Sequence, residues 1–210
     1  MPRCERIVLP GIPHHVTQRG NNHQPIFLDD EDRYLYVEIL KDRCRLYSLQ
    51  VLGHCLMTNH VHLAVIPGCA DSLSKAIGYS HRLFAQKSNI KYARDGHLWE
   101  NRFHSCPLDE AHFLSVLIYI DQNPVRAGLV TDASLYRWSS ARAHSGSNDS
   151  AGLIDADSWR RIAADYDWEQ AIRMAQDQEV LKELRSHTLS GQPWGSEEFV
   201  KGILAERRPL

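Results

Sequence analysis

The stretch Ser48-Leu-Gln-Val-Leu-Gly-His-Cys-Leu-Met57, followed after Thr58-Asn59 by His60-Val-His-Leu-Ala-Val-Ile66, decides the fold. Both segments are rich in apolar and β-branched residues, and so short a connection between them predicts an antiparallel hairpin. Alternate residues of a strand face opposite sides of a sheet. His60 and His62 should therefore project together, while Val61, Leu63 and Val65 face a core on the other side.

Helix and strand patterns alternate on both sides of this hairpin. Acidic residues open a helix over Asp29–Leu46, and a second helix is predicted over Ser72–Ser88. Further strands are predicted at His14–Arg19 and near Phe103–Pro107. The order β-α-β-β-α-β predicts an α+β fold, a ferredoxin-like antiparallel sheet with helices on one face.

A third helix is predicted from about Asp109 to Gln122, and we expect Pro124 to end it. Its polar side chains recur at steps of three or four, which places Tyr119 on a polar stripe of an otherwise apolar helix. Asn123 follows one turn after Tyr119. Its amide oxygen suits a hard cation such as Mg²⁺.

The last third of the chain differs in composition from the rest. The segment Ser145-Gly-Ser-Asn-Asp-Ser-Ala-Gly152 resembles a linker, and it coincides with a change in charge. Residues 1–148 carry 16 Lys and Arg against 14 Asp and Glu, whereas residues 149–210 carry 8 against 12. We therefore predict a domain over 1–148 and a small, acidic helical extension over 149–210, with helices at Ser158–Met174, Gln178–His187 and Ser196–Glu206.

Positive charge is concentrated before the third helix. Residues 72–105 carry six basic residues against two acidic ones, with aromatic residues interleaved. The basic residues are Lys75, Arg82, Lys87, Lys91, Arg94 and Arg102. Such a pattern favours contacts with a nucleic-acid backbone together with base stacking.

Composition excludes several classes of protein. No apolar run approaches the ~20 residues of a membrane helix, and the first residues lack the apolar region of a signal peptide, so we expect a cytoplasmic protein with no membrane partner. The five cysteines form no CxxC pair, which argues against a disulfide framework or a cysteine zinc site. No GxxxxGK[ST] motif for ATP binding is present.

The pair His60-Val-His62 matches the His–hydrophobic–His motif of HUH endonucleases, and the surrounding sequence resembles the REP-associated tyrosine transposases, a branch of the HUH single-tyrosine transposases. The resembling segments are His15-Val-Thr-Gln-Arg-Gly-Asn21, Met57-Thr-Asn-His-Val-His-Leu63, Gly96-His-Leu-Trp-Glu-Asn-Arg-Phe103, Tyr119-Ile-Asp-Gln-Asn-Pro-Val-Arg-Ala-Gly-Leu-Val130 and Trp138-Ser-Ser140. They follow the family's order over about residues 10–142.

The resemblance implies that Tyr119 is the nucleophile and that His60 and His62 hold a divalent metal, Mg²⁺ or Mn²⁺. The third ligand is Asn123, with Gln122 and Asp121 as alternatives, because relatives often have Gln as this ligand and His where this chain has Asp121. The implied reaction cuts and rejoins single-stranded DNA through a 5′-phosphotyrosine, at hairpin (REP-like) elements. Relatives act as monomers or homodimers, and both remain open for this chain.

The DNA contacts are assigned to seven basic residues. Three of them lie within the matched motifs and four within the basic run. They are Arg19, Arg102 and Arg126, and Lys75, Arg82, Lys91 and Arg94. For Arg126, the alternative is a cap on the last carbonyl groups of the third helix.

Two other functions compete with a transposase. A histidine-triad nucleotide hydrolase also carries His-x-His on a strand, but it needs a third histidine at the next alternate position, which is Ala64 here. A catalytically idle, domesticated DNA-binding protein would lose its catalytic groups over time. Tyr119, His60 and His62 are all present.

Overall fold

The computed structural model describes residues 6–174 and 176–206 and has one sheet of four antiparallel strands. The strands are β1 (His14–Arg19), β2 (Leu49–Leu56), β3 (His60–Pro67) and β4 (His104–Pro107). Their spatial order is β2-β3-β1-β4. This is the order of a ferredoxin-like fold, so the predicted α+β class is confirmed.

Two helices cover one face of the sheet. They are α1 (Asp30–Leu46) and α2 (Gly78–Lys91), the latter preceded by a π-helical turn over Leu73–Ile77. The side chain of Asp29 caps the start of α1 by accepting from the Asp32 backbone N–H. The core beneath these helices is formed by the odd-numbered residues of β3 together with aromatic residues of both helices. The predicted alternation along β3 is therefore observed.

The other face of the sheet is covered by α3 (Glu110–Arg126). The expectation that Pro124 ends this helix is wrong, because the helix continues through it. Proline lacks the N–H that would bond to the carbonyl of Ile120, but Ala127 still donates to the Asn123 carbonyl. Near the middle of α3, the helix lies so close to the sheet that a Cβ on Gly53 would come within 2.6 Å of Leu117 Cδ2.

The C-terminal helices are α4 (Ala141–His144), α5 (Ala156–Ile162), α6 (Trp168–Arg173), α7 (Gln178–Ser190) and α8 (Glu197–Glu206). The single helix predicted over Ser158–Met174 is two helices, because Asp167 accepts from the Gln170 N–H and begins a new one. Apolar residues of α5, α6 and α7 share a core with α3. Within the described residues, every helix is too short or too polar to cross a membrane.

The segment expected to act as a linker is ordered and packed. Asp149 accepts hydrogen bonds from the backbone N–H groups of Ala151, Leu153 and Ile154, and Ala151 and Leu153 are buried. The backbone of Asp155 then donates to the Val51 carbonyl on β2. Small polar residues therefore form a tight loop here instead of a flexible connection. The boundary between residues 148 and 149 stays a prediction.

Candidate active site

Three histidines lie together on the sheet face beneath α3. His60 and His62 come from β3, and His15 comes from the neighbouring β1, where the pairing of Thr17 with His62 sets the register. The ring centroids of His60 and His62 are 5.0 Å apart, and the rings of His15 and His62 lie edge to edge, with centroids 5.2 Å and planes 8° apart. The predicted pair of imidazoles on one strand face is therefore observed, with a third beside it.

His60 and His62 each use Nδ1 in a hydrogen bond, and the Nε2 atom of each has no partner among the described residues. His60 Nδ1 lies 2.7 Å from Asn59 Oδ1, and because that oxygen only accepts, Nδ1 carries the proton. His62 Nδ1 lies 3.0 Å from His15 Nε2, and His15 Nδ1 lies 2.8 Å from Thr188 Oγ1 on α7. Nε2 of His60 thus keeps a free lone pair, as a metal ligand must.

Burial keeps these imidazoles neutral. It lowers the pKa of His15 to about 3 and that of His60 to about 4, with Arg19 lowering the latter further. The pKa of His62 is well below its usual value, chiefly through burial and then through His60 and His15. Neutral imidazoles bind cations, whereas protonated ones do not.

Tyr119 lies directly against these rings. Its ring centroid is 5.3 Å from that of His62 and 6.0 Å from that of His15. The guanidinium carbon of Arg126, two turns further along α3, lies 4.2 Å from the centre of the Tyr119 ring. We call His15, His60, His62 and Tyr119 the histidine–tyrosine cluster. Tyr119 exposes only 6% of its surface.

The three candidates for the remaining metal ligand differ in their partners. Asn123 accepts from Arg126 Nη2 at 3.1 Å through Oδ1, and its Nδ2 is buried with no partner among the described residues. Gln122 Oε1 accepts from Arg126 Nη1 at 3.3 Å, and its Nε2 donates to the carbonyl groups of Ile172 and Met174. Both amide oxygens therefore face Arg126, and Gln122 is in addition bound to the backbone at α6.

Asp121 is engaged in a separate buried network, which we call the aspartate cluster. It accepts from Ser140 Oγ at 2.7 Å and from Trp168 Nε1 at 3.0 Å, and it lies 2.7 Å from His144 Nδ1. The other nitrogen of His144 lies 2.7 Å from the Leu52 carbonyl. Each polar atom of Asp121 is thus used for holding α3, α4 and α6 together.

The basic residues assigned to DNA are dispersed, and several are paired with acids. Lys91 contacts Asp29 and Asp32, Lys75 contacts Asp71, and Arg19 lies 2.9 Å from Glu100. The remaining ones lie against aromatic rings or are exposed. Arg82 lies over Tyr79, Arg94 over Tyr92, and Arg102 is exposed.

Arg126 also donates to the Tyr119 carbonyl at 2.6 Å. Because Tyr119 lies two turns before the end of α3, this carbonyl is not one of the last ones that the capping alternative names. Burial lowers its pKa from the usual value, and the charge interaction with Tyr119 opposes that change. Arg126 is therefore placed both to bind the backbone of α3 and to hold positive charge beside the phenol.

The candidate cation site has no charged ligand. Among the described residues, no group of three or more His, Cys, Asp and Glu side chains is arranged to hold a metal. Two neutral imidazoles and one amide oxygen leave coordination positions open, which suits a catalytic metal that must also bind substrate oxygens. The donors present are thus compatible with a divalent cation.

Sequence reasoning did not single out three residues near this site. His15 stands in a matched motif, but its contact with His62 follows from the pairing of β1 with β3. Thr188 and Arg185 are on α7, and Arg185 contributes to the lowered pKa values of His62 and Arg126. No local pattern relates α7 to the strand that carries His62.

Comparisons with known proteins identify the family of the chain. A family model described as "Transposase IS200 like" matches residues 10–123. Among solved structures, that of a REP-associated tyrosine transposase bound to a REP hairpin has a TM-score of 0.57 at 17% identity, covering 75% of this chain and 90% of that one. A protein of Deinococcus radiodurans assigned as a transposase has a TM-score of 0.40 at 19% identity, covering 57% and 96%. No curated protein matches the chain.

Proposed function

Because the chain belongs to the IS200-like transposase family, we propose that it cuts and rejoins single-stranded DNA through a covalent bond to Tyr119. The observation that carries this proposal is the position of Tyr119, whose ring lies 5.3 Å from His62 and 4.2 Å from the guanidinium carbon of Arg126. A tyrosine in that setting has both an activating cation beside it and candidate metal ligands within reach.

Tyr119 is the nucleophile in this proposal. Its Oη forms a bond to the scissile phosphorus, the bond from phosphorus to the 3′ oxygen breaks, and that oxygen takes up a proton. The products are a 5′-phosphotyrosine and a free 3′-OH. Because a phenol has a pKa near ~10, it attacks poorly at neutral pH without help. Arg126 places a positive charge beside the ring of the attacking residue.

His60, His62 and Asn123 are the proposed ligands of Mg²⁺ or Mn²⁺. A divalent cation bound there supplies Lewis-acid polarisation of the scissile phosphate. The imidazoles remain neutral through burial and so keep their lone pairs available. Asn123 Oδ1 has a second lone pair beside the one that accepts from Arg126. Gln122 is a weaker candidate because its Nε2 is held by two backbone carbonyl groups at α6, although its Oε1 also faces Arg126. Asp121 is weaker because both of its oxygens are bound in the aspartate cluster.

The proposed substrate is single-stranded DNA beside a hairpin. The first structural neighbour was solved with a REP hairpin, which motivates the hairpin for this chain. Arg82, Arg94 and Arg102 are half-buried or exposed and are the first proposed phosphate contacts, whereas Arg19, Lys75 and Lys91 would first have to leave their acidic partners. Unpaired strand is required because the attacked phosphate must bend into a buried site.

The test uses the full chain with Mn²⁺ or Mg²⁺ and hairpin oligonucleotides with single-stranded flanks copied from DNA beside its own gene. A label at the 3′ end reports the adduct, because the fragment on the 3′ side of the cut keeps the phosphate on tyrosine. Denaturing electrophoresis should show labelled DNA attached to the wild-type protein. Tyr119→Phe, which removes one oxygen and retains the ring, should show neither adduct nor cleavage.

The controls are Tyr79→Phe, Tyr92→Phe and Tyr136→Phe, which should all keep the adduct. An adduct that survives in Tyr119→Phe would show that another residue attacks. A free 5′-phosphate product without any adduct would indicate a nuclease that uses water. Hairpin binding by the wild type with no cleavage in either metal would favour the idle DNA-binding protein.

A further inference from the structure

His62 has an unusual partner for a candidate metal ligand, since its inner nitrogen faces another histidine. His62 Nδ1 and His15 Nε2 are 3.0 Å apart, and His15 Nδ1 is 2.8 Å from Thr188 Oγ1. All three side chains are buried, with exposures of 6%, 2% and 2% for His62, His15 and Thr188. These contacts therefore connect His62 on the sheet to Thr188 on α7 in the C-terminal extension.

We propose that Thr188 and His15 are positioning residues that hold His62 in the orientation and tautomer needed to bind a divalent cation through Nε2. The proposal rests on the proposed metal site at His60 and His62. It assigns to the C-terminal extension a direct part in that site, through α7.

The hydrogen-bond chemistry allows one arrangement compatible with metal binding. A neutral imidazole carries one proton, so His62 can offer Nε2 to a cation only if its proton is on Nδ1. His15 Nε2 must then accept that proton's hydrogen bond, which places the proton of His15 on Nδ1. Thr188 Oγ1 must in turn accept from His15. In the reverse arrangement, His62 Nε2 carries a proton and has no lone pair to offer.

His60 does not need such an arrangement, and the contrast explains why Thr188 matters. Asn59 Oδ1 only accepts hydrogen bonds, so it fixes the tautomer of His60 by itself. His15 can donate or accept at Nε2, and the Thr188 hydroxyl supplies the acceptor that the metal-binding arrangement needs at His15 Nδ1. Without Thr188 Oγ1, a proton on His15 Nδ1 would be buried with no acceptor, which favours the reverse arrangement.

The near-parallel rings support a fixed geometry. The planes of His15 and His62 differ by 8°, and the ring of Tyr119 packs at right angles to both, at 80° and 88°. A His62 ring held in this way directs Nε2 away from His15. Partners beyond the ligands commonly change metal affinity by about 10–100-fold when removed.

The experiment measures Mn²⁺ affinity of the full chain by calorimetry or by electron paramagnetic resonance of free Mn²⁺, without DNA. Thr188→Val, which keeps the shape and removes the acceptor, should weaken binding about 10–100-fold. The matched control Thr188→Ser keeps the hydroxyl and should bind as the wild type does. His15→Phe should weaken binding similarly, and His15→Gln should recover part of it because its amide oxygen can accept from His62.

Two further measurements keep the outcome decisive. Circular dichroism and thermal unfolding without metal show whether each variant folds. In the Mg²⁺-saturated wild type, long-range ¹H–¹⁵N correlations should show His62 protonated at Nδ1. A proton on Nε2 would overturn the proposal even if a variant failed to fold.

The failure of this proposal differs from that of the metal site itself. If His60→Ala and His62→Ala lose Mn²⁺ binding while Thr188→Val and His15→Phe retain it, only the positioning role is overturned. If all four variants bind Mn²⁺ as the wild type does, the metal site is overturned as well. If His15→Phe and His15→Gln lose Mn²⁺ affinity equally and Thr188→Val loses none, His15 is instead a direct ligand.

Discussion

The histidine–tyrosine cluster and the aspartate cluster each include one residue of α3, Tyr119 and Asp121. They differ in how many of their polar atoms have hydrogen-bond partners. In the aspartate cluster, both oxygens of Asp121 and both nitrogens of His144 have partners. In the histidine–tyrosine cluster, Nε2 of the half-buried His60 has none among the described residues, and Nδ2 of the neighbouring Asn123 is buried and unpaired there. Buried polar groups are normally paired, so the unpaired Nδ2 of Asn123 needs an explanation.

The difference separates a structural role from a chemical one. In the aspartate cluster, no oxygen of Asp121 is left without a partner to bind a ligand. Its hydrogen bonds instead join α3 to α4 and α6. A partly paired cluster keeps lone pairs that a cation or substrate can use. Tyr119 and Asp121, two residues apart, thus belong to different sites because a helix turns about 200° between them.

The largest effect should follow from His60→Ala. Loss of a ligand removes several kcal/mol of transition-state stabilisation, so cleavage should fall by at least about 100-fold. Hairpin affinity should change little, because most of it comes from phosphate contacts elsewhere. Gel cleavage and fluorescence anisotropy measure the two quantities. Undiminished cleavage by His60→Ala in the presence of a chelator would reject a metal role.

Asp121→Asn should lower the stability of the fold and leave metal binding unchanged. One amide oxygen cannot replace two carboxylate oxygens that receive three donors, so His144 loses its charged partner in a buried site. Breaking such a pair costs about 3–5 kcal/mol, which corresponds to a fall in Tm of about 10 °C in a chain of this size. Well below that Tm, Mn²⁺ affinity should be unchanged. If the Asp121→Asn variant is stably folded and loses Mn²⁺ binding, Asp121 is a metal ligand.

The next effect distinguishes Asn123 from Gln122. Asn123→Ala should weaken Mn²⁺ binding by about 10-fold, less than either histidine, because water can take the place of an amide oxygen. Gln122→Ala is the matched control, and it should lower stability by about 1–3 kcal/mol through the two carbonyl groups left unpaired. Calorimetry and urea unfolding measure these. The reverse pattern would make Gln122 the ligand.

The sequence predicted most of this site, and the exceptions have physical reasons. Strand alternation placed His60 and His62 on one face, and helix periodicity placed Tyr119 near Asn123. Helix geometry also disfavours Asp121, but it leaves Gln122 only about 60° from Tyr119, and the carbonyl groups at α6 decide its direction. His15 and Thr188 are 173 residues apart, so their contact depends on tertiary packing that no local pattern contains.

The last effect concerns acid, and it tests whether His15 in the histidine–tyrosine cluster is neutral. Burial lowers the pKa of His15 to about 3, whereas in the unfolded chain it is near 6.5. Between these values, the unfolded state binds a proton that the folded state does not, so the free energy of unfolding falls as pH decreases from 6.5. The slope from this residue is about 1.4 kcal/mol per pH unit.

Urea unfolding of the wild type and His15→Phe between pH 7 and 5 measures this slope. The variant should have a shallower dependence by about one proton, and its curve should approach that of the wild type as pH falls. An unchanged slope would show that His15 is protonated in the folded protein, and His15 could then not accept a hydrogen bond from His62.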